Sequence, residues 1–408
     1  MTGKPFSPFS SPASYLLVTG LLFLNLQVFG QQGAIKKPGY PVLTDHPINV
    51  ILMIGDGMGL AQISSALYTN ENQLFLEEFP VVGFHKSYAY DQLVTDSAAG
   101  ATAFACGKKT YNAAIGVDKD SLPCKTILEE SMERGLATGL IVTSTIVHAT
   151  PAAFAAHSLS REFYEEIASD MAETQPDLMI GGGKMYFDRR DGDDRDIIGE
   201  LRSKGCTVED YSSSDITGFK WNASKKLVYF TADKQPLSVS AGRDYLALAC
   251  RLGPHFLEKR SEKGFFLMIE GSQIDWACHA NDGKLAIKET LDFNRAIGEA
   301  LKYAQNNQNT LVIVTADHET GGMALMPGSK MGGVQTAFTT NNHTATLIPV
   351  FAFGPGSELF SGIYENTEIY HKIRWAFGFG VQPAQTSLST SSTGPAANPE
   401  KIPQGGSN

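Results

Sequence analysis

Three segments of this chain share one pattern, in which an apolar run is followed within three residues by an acidic residue. The runs and their acids are residues 50–54 with Asp56, residues 265–269 with Glu270, and residues 311–314 with Asp317. Continuous apolar runs of this length are typical of strands buried on both faces, as in parallel sheets covered by helices. In open α/β sheets, ligands bind beyond the carboxyl ends of the strands. The pattern therefore predicts an α/β fold with acids gathered at one sheet edge.

The first acid lies in a glycine-rich turn, residues 55–59, with the sequence Gly-Asp-Gly-Met-Gly. Its G-x-G-x-G spacing is not that of a dinucleotide-binding loop, and a carboxylate inside the loop would repel a pyrophosphate. The structural alternative to a ligand role is a strand-to-helix turn that Asp56 caps.

Histidines occur in the segments that contain the other two acids, Glu270 and Asp317. Asp275 and His279 are four residues apart, which places them on one face of a helical turn, and such a pair suits Zn²⁺. The alternative is an ordinary helical Asp/His pair. Asp317 and His318 are adjacent, so both reach one metal only if the chain bends there, which the glycines at 321–322 permit. His343 stands alone in a loop, where a histidine is usually a surface residue.

A serine supplies the remaining chemistry. In residues 95–103, Thr95 or Asp96 can cap a helix of small residues that begins at Ser97. The free N–H groups and the positive end of the dipole would then favour an anion or an attacking alkoxide at the serine. An ordinary helix start is the alternative. The coincidence of all these motifs favours Ser97 as a nucleophile and a set of metal ligands: Asp56, Glu270, Asp275, His279, Asp317, His318 and His343.

At these motifs the chain resembles the alkaline phosphatases. The matching pieces occur in family order over residues 48–355 and are residues 55–59, 96–103, 107–118, 148–152, 270–279, 315–322 and 343–344. The resemblance implies a three-layer α/β sandwich with a large, mostly parallel central sheet flanked by helices, usually assembled as a homodimer. The stretch of about 25 residues between His318 and His343 is too short for the large surface domain that some relatives insert there.

The resemblance also implies the reaction and the role of each residue. Phosphate monoesters would be hydrolysed through a phosphoserine at Ser97, on a site with two Zn²⁺ ions and one Mg²⁺. Arg161 would fork onto two phosphate oxygens, although sequence alone does not distinguish it from a solvated helix residue. The implied ligands are Asp275, His279 and His343 for the first zinc, Asp56, Asp317, His318 and the Ser97 oxygen for the second, and Asp56, Thr150 and Glu270 for magnesium.

Two positions differ from many bacterial members. His148 stands where they have an aspartate near the magnesium, and Trp276 where they have a lysine near the phosphate. These changes are expected to weaken the third metal site and phosphate binding without changing the reaction. The alternatives are a phosphodiesterase or sulfatase of the same superfamily, and a secreted phosphate- or metal-binding protein without activity. Arg161 favours the monoester, because a monoester dianion offers two free oxygens.

The charge of the chain limits its partners. The 408 residues carry a net charge of −10 without a basic cluster, which argues against a nucleic-acid partner and fits small phosphorylated substrates.

We expect one domain over residues 48–380, preceded by an extension over 31–47. The tail over 381–408 is rich in Ser, Thr, Pro and Gly, a composition typical of disorder.

The first 30 residues resemble a secretory signal peptide. Lys4 precedes an apolar run over residues 15–29 that is short for a membrane span, and Gly30 is a plausible cleavage site. Secretion or export to a periplasm, without a stable membrane anchor, is therefore expected; the alternative is a membrane-anchoring helix. Five cysteines allow at most two disulfides, and the sequence does not assign their pairing. Cys278 is interpreted as a packing residue.

Local patterns predict further elements. They indicate helices over 125–135 and 281–305, and strands over 137–143 and 177–180. They also indicate a turn rather than a phosphate loop at Gly181–Gly183, and a solvated loop over 188–196.

Overall fold

The computed structural model describes residue 43 and residues 45–379. The predicted signal peptide and the predicted tail lie outside the described residues. The strands are β1 (Asn49–Gly55), β2 (Val81–Lys86), β3 (Ala137–Thr145), β4 (Leu178–Gly182), β5 (Thr207–Asp210), β6 (Leu227–Phe230), β7 (Phe265–Gly271), β8 (Thr310–Thr315), β9 (Glu319–Thr320), β10 (Met323–Leu325), β11 (Thr336–Phe338), β12 (His343–Thr344), β13 (Leu347–Phe353) and β14 (Gly362–Glu365).

The helices flank these strands. They are α1 (Leu60–Thr69), α2 (Ser97–Cys106), α3 (Ile127–Glu133), α4 (Ala149–Ala155), α5 (Tyr164–Thr174), α6 (Met185–Asp188), α7 (Ile197–Ser203), α8 (Tyr245–Glu258), α9 (Gln273–His279), α10 (Gly283–Asn306) and α11 (Glu368–Ala376). Within the described residues, no helix combines the length and the apolar character that a membrane crossing requires.

Ten strands form one sheet in the order β14-β2-β13-β8-β1-β7-β3-β4-β6-β5. The pairings of β1, β3, β4, β6 and β7 with their neighbours are parallel, whereas β13 runs antiparallel to both β2 and β8. The predicted mostly parallel α/β sheet is therefore confirmed, with β13 as the exception.

Both faces of the central strands are covered by helices. All residues of β1, β3, β7 and β8 are buried. On one face, alternate residues such as Ile51 and Met53 join a core that includes Phe293 of α10. On the other, Phe266 of β7 stacks on Phe154 of α4 at 5.9 Å. Because two hydrophobic layers cover these strands, their sequences are continuously apolar rather than alternating.

The register of the three central strands places their carboxyl ends side by side. Ile54 of β1 pairs with Glu270 of β7 and with Thr315 of β8. Asp56 and Asp317 follow within two residues of these pairs, so the three acids predicted to share one sheet edge do so.

Most predicted elements are present with shifted ends. The helices predicted over 125–135 and 281–305 are α3 and α10, and the strand predicted over 137–143 extends to Thr145. The loop predicted over 188–196 follows the last residue of α6.

The glycine triplet at 181–183 corrects the predicted turn. Gly181 and Gly182 belong to β4, and the turn begins at Gly183, where φ is 93°. A Cβ atom on Gly182 would lie 2.1 Å from the Lys234 carbonyl oxygen, so glycine is required there for close packing of backbone on strand.

Candidate active site

The buried Ser97 hydroxyl lies at the start of α2, at the carboxyl edge of the sheet. Asp96 caps this helix, since its carboxylate accepts a hydrogen bond from the Ala99 N–H at 2.9 Å. Ser97 Oγ lies 3.3 Å from His318 Nε2 and 3.4 Å from Asp56 Oδ2. A Cβ atom on Gly100 would be 3.1 Å from Asp317 Cβ, so the small residues of α2 allow the helix to approach the acids.

The first cluster consists of Asp275, His279 and His343. The Nε2 atoms of the two histidines are 3.0 Å apart and face Asp275, at 3.3 Å from His279 and 3.5 Å from His343. Each Nδ1 faces a backbone carbonyl oxygen: that of Asn341 at 2.6 Å for His279, and that of Thr95 at 2.9 Å for His343. Because a carbonyl only accepts, each Nδ1 carries a proton, and each Nε2 is the atom that faces the cluster. Nε2 donates to Asp275 when the imidazole is charged and offers a lone pair when it is neutral.

The second cluster consists of Asp56, Asp317 and His318, all fully buried. His318 Nε2 lies 3.2 Å from Asp317 and 3.5 Å from Asp56. The Thr320 hydroxyl donates to Asp275, so it accepts from Nδ1 of His318 at 3.2 Å. This leaves the Nε2 lone pair of His318 directed at the two carboxylates and at Ser97.

The third cluster consists of Asp56, His148 and Glu270, so Asp56 is shared by two clusters. The Thr150 hydroxyl lies beside Glu270 and lowers the pKa of that carboxyl against the larger, opposite effect of burial. Ser144 also reaches Glu270, at 3.5 Å. In each of the three clusters, the potential ligand atoms lie within 4.8 Å of one another.

The electrostatics of these clusters favour cations. Burial and the charges of neighbouring acids raise the pKa of Asp56 well above its usual range, raise that of Asp317 to about 6, and raise that of Glu270 to about 8. Asp275 differs: hydrogen bonds from its two histidines outweigh burial and hold its pKa well below the ordinary value. Acids that repel one another at this depth need a positive counter-charge.

Unsatisfied polar atoms mark the same places. In and beside the second and third clusters, five buried ligand-type atoms lack a hydrogen-bond partner: Asp56 Oδ1, His148 Nδ1, Thr150 Oγ1, Glu270 Oε1 and Asp317 Oδ2. Buried polar atoms are normally paired. Oxygen-rich and nitrogen-containing donor sets with free lone pairs fit bound metal ions.

Arg161 lies in the turn before α5 rather than on a helix, and its side chain is only 20% exposed. Its guanidinium donates to Asp96 at 3.1 Å and lies 3.3 Å from His148 Nε2. The interpretation of Arg161 as a solvated helix residue, which sequence alone would allow, is therefore wrong. His148 in turn packs edge-on against Trp276, with ring centres 5.8 Å apart.

A cavity of about 310 Å³ opens onto these groups. Its wall includes Ser97, Arg161, Asp275, His279 and His343. The cavity can therefore hold a small anionic group between a serine, a guanidinium and a cation-binding cluster.

Sequence reasoning interpreted Asp96 only as a helix cap and did not single out Asn112. In the structure, Asp96 accepts hydrogen bonds from the Arg161 guanidinium and the Ala113 N–H, and its own N–H donates to Asn112 at 2.9 Å. Both residues lie within motifs already recognised, at 96–103 and 107–118. What the sequence lacked was a reason to place those motifs in contact.

Comparison with known proteins identifies the family of the chain. The family described as "Alkaline phosphatase" matches residues 48–237 and 251–337. Alkaline phosphatase 3 of Bacillus subtilis is 33% identical over 83% of this chain and 90% of its own length. The structure of alkaline phosphatase from the Antarctic bacterium TAB5 has 45% identity and a TM-score of 0.77, covering 83% of this chain and 99% of that one.

A cold-active alkaline phosphatase from Shewanella sp. is 29% identical with a TM-score of 0.72, covering 81% of this chain and 99% of its own. The family match covers residues in both halves of the chain. The chain therefore belongs to the alkaline phosphatase family, whose members hydrolyse phosphate monoesters.

Proposed function

We propose that this chain hydrolyses phosphate monoesters through a phosphoserine intermediate on Ser97. The observation that carries the proposal is the position of the serine hydroxyl, within 3.4 Å of both His318 and Asp56 and facing the cavity that holds Arg161. The Asp56 carboxylate and the His318 lone pair beside the serine also face the second cluster, where a bound cation would engage both of them. The serine therefore depends on nearby positive charge for its activation.

We further propose that the first and second clusters hold Zn²⁺ and that the third holds Mg²⁺. Nitrogen and oxygen ligands suit zinc, whereas Asp56, Thr150 and Glu270 offer only oxygen, which suits magnesium. Such ions, when bound, lower the pKa of a hydroxyl or of water and neutralise charge on the phosphoryl group. The free lone pairs and the mutual repulsion of the acids support this assignment.

The chain's own residues then define the geometry of the reaction. Ser97 attacks phosphorus in line with the leaving alkoxide, and its position as the first residue of α2 places the incoming anion at the positive end of the helix dipole. Arg161, fixed by Asp96, pairs with two phosphoryl oxygens. Water hydrolyses the phosphoserine from the opposite side. Enzymes accelerate this class of reaction by up to about 10²¹-fold, so no single residue accounts for the rate.

Arg161→Ser tests the recognition of the monoester dianion. Loss of charge-assisted hydrogen bonds should reduce monoester kcat/KM by about 1.5–3 kcal/mol in transition-state stabilisation, or roughly 10- to 150-fold. A diester presents fewer free oxygens, so its slow turnover should fall much less. Steady-state kinetics with a matched aryl monoester and diester measures both effects.

Arg295→Ser is the matched control, because Arg295 is exposed and pairs with Asp292 away from the site. It should leave both activities unchanged. Equal losses of kcat/KM for the monoester and the diester in Arg161→Ser would show that the arginine does not distinguish the monoester dianion from a diester.

His148→Asp tests the third cluster. Variants of the TAB5 enzyme with aspartate or glutamate in place of a histidine are described with Mg bound in a site called M3. Here, a carboxylate beside Asp56 and Glu270 should tighten Mg²⁺ binding by roughly tenfold, since ligand charge tunes affinity. Titration calorimetry of zinc-loaded protein with MgCl₂ measures the change. His148→Asn has a similar size without the charge, so equal affinities in the two variants would contradict the proposed site.

We also propose that the domain over residues 48–380 acts outside the cytoplasm as a homodimer. The support is the signal-like sequence of residues 1–30 and the resemblance stated above. N-terminal sequencing of the exported protein, with Gln31 as the expected first residue, tests the cleavage site. Light scattering coupled to gel filtration tests the dimer, and a monomeric mass would contradict it.

A further inference from the structure

Two cysteines bracket the segment that follows the nucleophile helix. Cys106 is the last residue of α2, and Cys124 lies two residues before Thr126, the N-cap of α3. Although 18 positions separate the two cysteines, the Cys106 thiol lies 3.6 Å from the Cys124 carbonyl oxygen. Both residues are buried, with 5% and 3% of their surface exposed. The fold therefore brings together a pair that the sequence did not assign.

The side chain of each cysteine affects the ionisation of the other. Their interaction is the largest cause that raises the pKa of Cys106 well above its usual value and lowers that of Cys124 to about 7. The positive charge of Lys108 also lowers the pKa of Cys124. One thiol of the pair therefore ionises near neutral pH beside a protonated partner, an arrangement suited to thiol–disulfide exchange.

The other cysteines are engaged elsewhere. Cys250 donates to the Ala296 carbonyl at 3.1 Å, Cys278 accepts from the Gln62 amide at 3.6 Å, and burial raises the pKa of Cys206. In the part of the chain that the structure describes, neither Cys106 nor Cys124 belongs to a three-residue metal-binding cluster. Redox chemistry is thus the reactivity that the pair can support.

We propose that Cys106 and Cys124 form a disulfide bond in an oxidising compartment and close residues 106–124 into a covalent ring. In the cell the bond depends on the export proposed above, because reducing compartments keep thiols reduced. The oxidant is a small-molecule or protein disulfide. The Cys124 thiolate attacks one sulfur of that disulfide and displaces the other as a thiolate. Cys106 loses its proton to solvent, attacks the Cys124 sulfur and displaces the second thiolate, so two electrons pass to the oxidant.

The ring contains residues that position Asp96 and Arg161, the pair proposed to bind the phosphoryl group. Asn112 and Ala113 both bind Asp96, and the Ala113 carbonyl accepts the backbone N–H of Arg161 at 2.8 Å. Ala113 has φ of 73°, a left-handed conformation that non-glycine residues adopt only when their surroundings impose it. Closing the ring restricts the unfolded chain and helps to impose this conformation.

The test uses the reduced, metal-loaded full chain equilibrated with oxidised glutathione, followed by alkylation and peptide mass mapping. We expect two of the five thiols to escape alkylation, one linked peptide containing residues 106 and 124, and a mass loss of about 2 Da. Cys206→Ser should give the same linked peptide, whereas Cys106→Ser should not. Five alkylated thiols in the wild-type chain, or a link between other cysteines, would overturn the proposal.

Thermal unfolding gives a second measurement. The oxidised chain should melt roughly 5 °C above the reduced chain, with no such difference in Cys124→Ser. Equal melting temperatures with the linked peptide present would overturn the proposed stabilising ring. Mass and melting readouts do not depend on turnover. A bonded chain without monoesterase activity would therefore refute the proposed reaction alone, and an active chain without the bond would refute this inference alone.

Discussion

Ser97→Ala should reduce monoester turnover by about 10³-fold or more, on the scale of losses seen when an enzyme nucleophile is deleted. The substitution removes only the hydroxyl that lies 3.4 Å from Asp56 and 3.3 Å from His318. Metal content should therefore stay close to that of the wild type. Residual hydrolysis by direct attack of water is expected, but no phosphoserine should form. Steady-state kinetics, acid-quenched phosphoprotein mass and elemental analysis measure these three results.

Ser131→Ala is a suitable control, because Ser131 is buried in α3 and donates only to the Ile127 carbonyl. It should retain full activity and the phosphoserine intermediate. Turnover by Ser97→Ala at the wild-type rate would exclude Ser97 as the nucleophile.

His343→Ala should impair the first cluster selectively. The variant leaves Asp275 and His279 as two ligands, so zinc content should fall by about one ion per chain and turnover by about 100-fold or more. Ser97 lies against the second cluster, so its phosphorylation should suffer less than hydrolysis of the phosphoserine. Phosphoserine should therefore accumulate when substrate is added, which quench-flow and protein mass spectrometry detect.

His255→Ala provides the comparison, because His255 is exposed and lies near Glu258 on α8. It should change neither zinc content nor turnover. Full zinc content together with unchanged turnover in His343→Ala would show that His343 of β12 is not a ligand and that another group completes the first cluster.

The sheet was predictable because its central strands are covered on both faces. Continuous apolar runs at residues 50–54, 265–269 and 311–314 carry that information locally, and the acids after each run mark the carboxyl edge. The antiparallel direction of β13 was not predicted, since its run over 347–353 resembles the parallel strands in composition. The carboxyl end of β4 was also predicted too early. Gly181 and Gly182 favour a turn by propensity, but in the fold they belong to the strand, where other groups pack too closely for a larger side chain.

In the candidate site too, local contacts were predictable from the sequence and long-range contacts were not. Asp275 and His279 were predictable as neighbours from helical spacing, whereas His343 was interpretable only through resemblance, since its partners are about 64 residues or more away in sequence. The contact of Asp96 with Arg161 spans 65 residues and has no local signal. Pairings of this kind are set by tertiary packing, so their motifs were visible in the sequence while their contacts were not.

Because Asp56 belongs to two clusters, the proposed cations at those clusters would have thermodynamically linked occupancies. Any cation that orders or neutralises this carboxylate at one cluster changes the affinity of the other, and the second cation must change the affinity of the first by the same factor. Loading of the site with the proposed cations would therefore not be a sum of independent binding events. Replacing one cation by another at the third cluster would alter the serine's surroundings even though the third cluster does not contain Ser97.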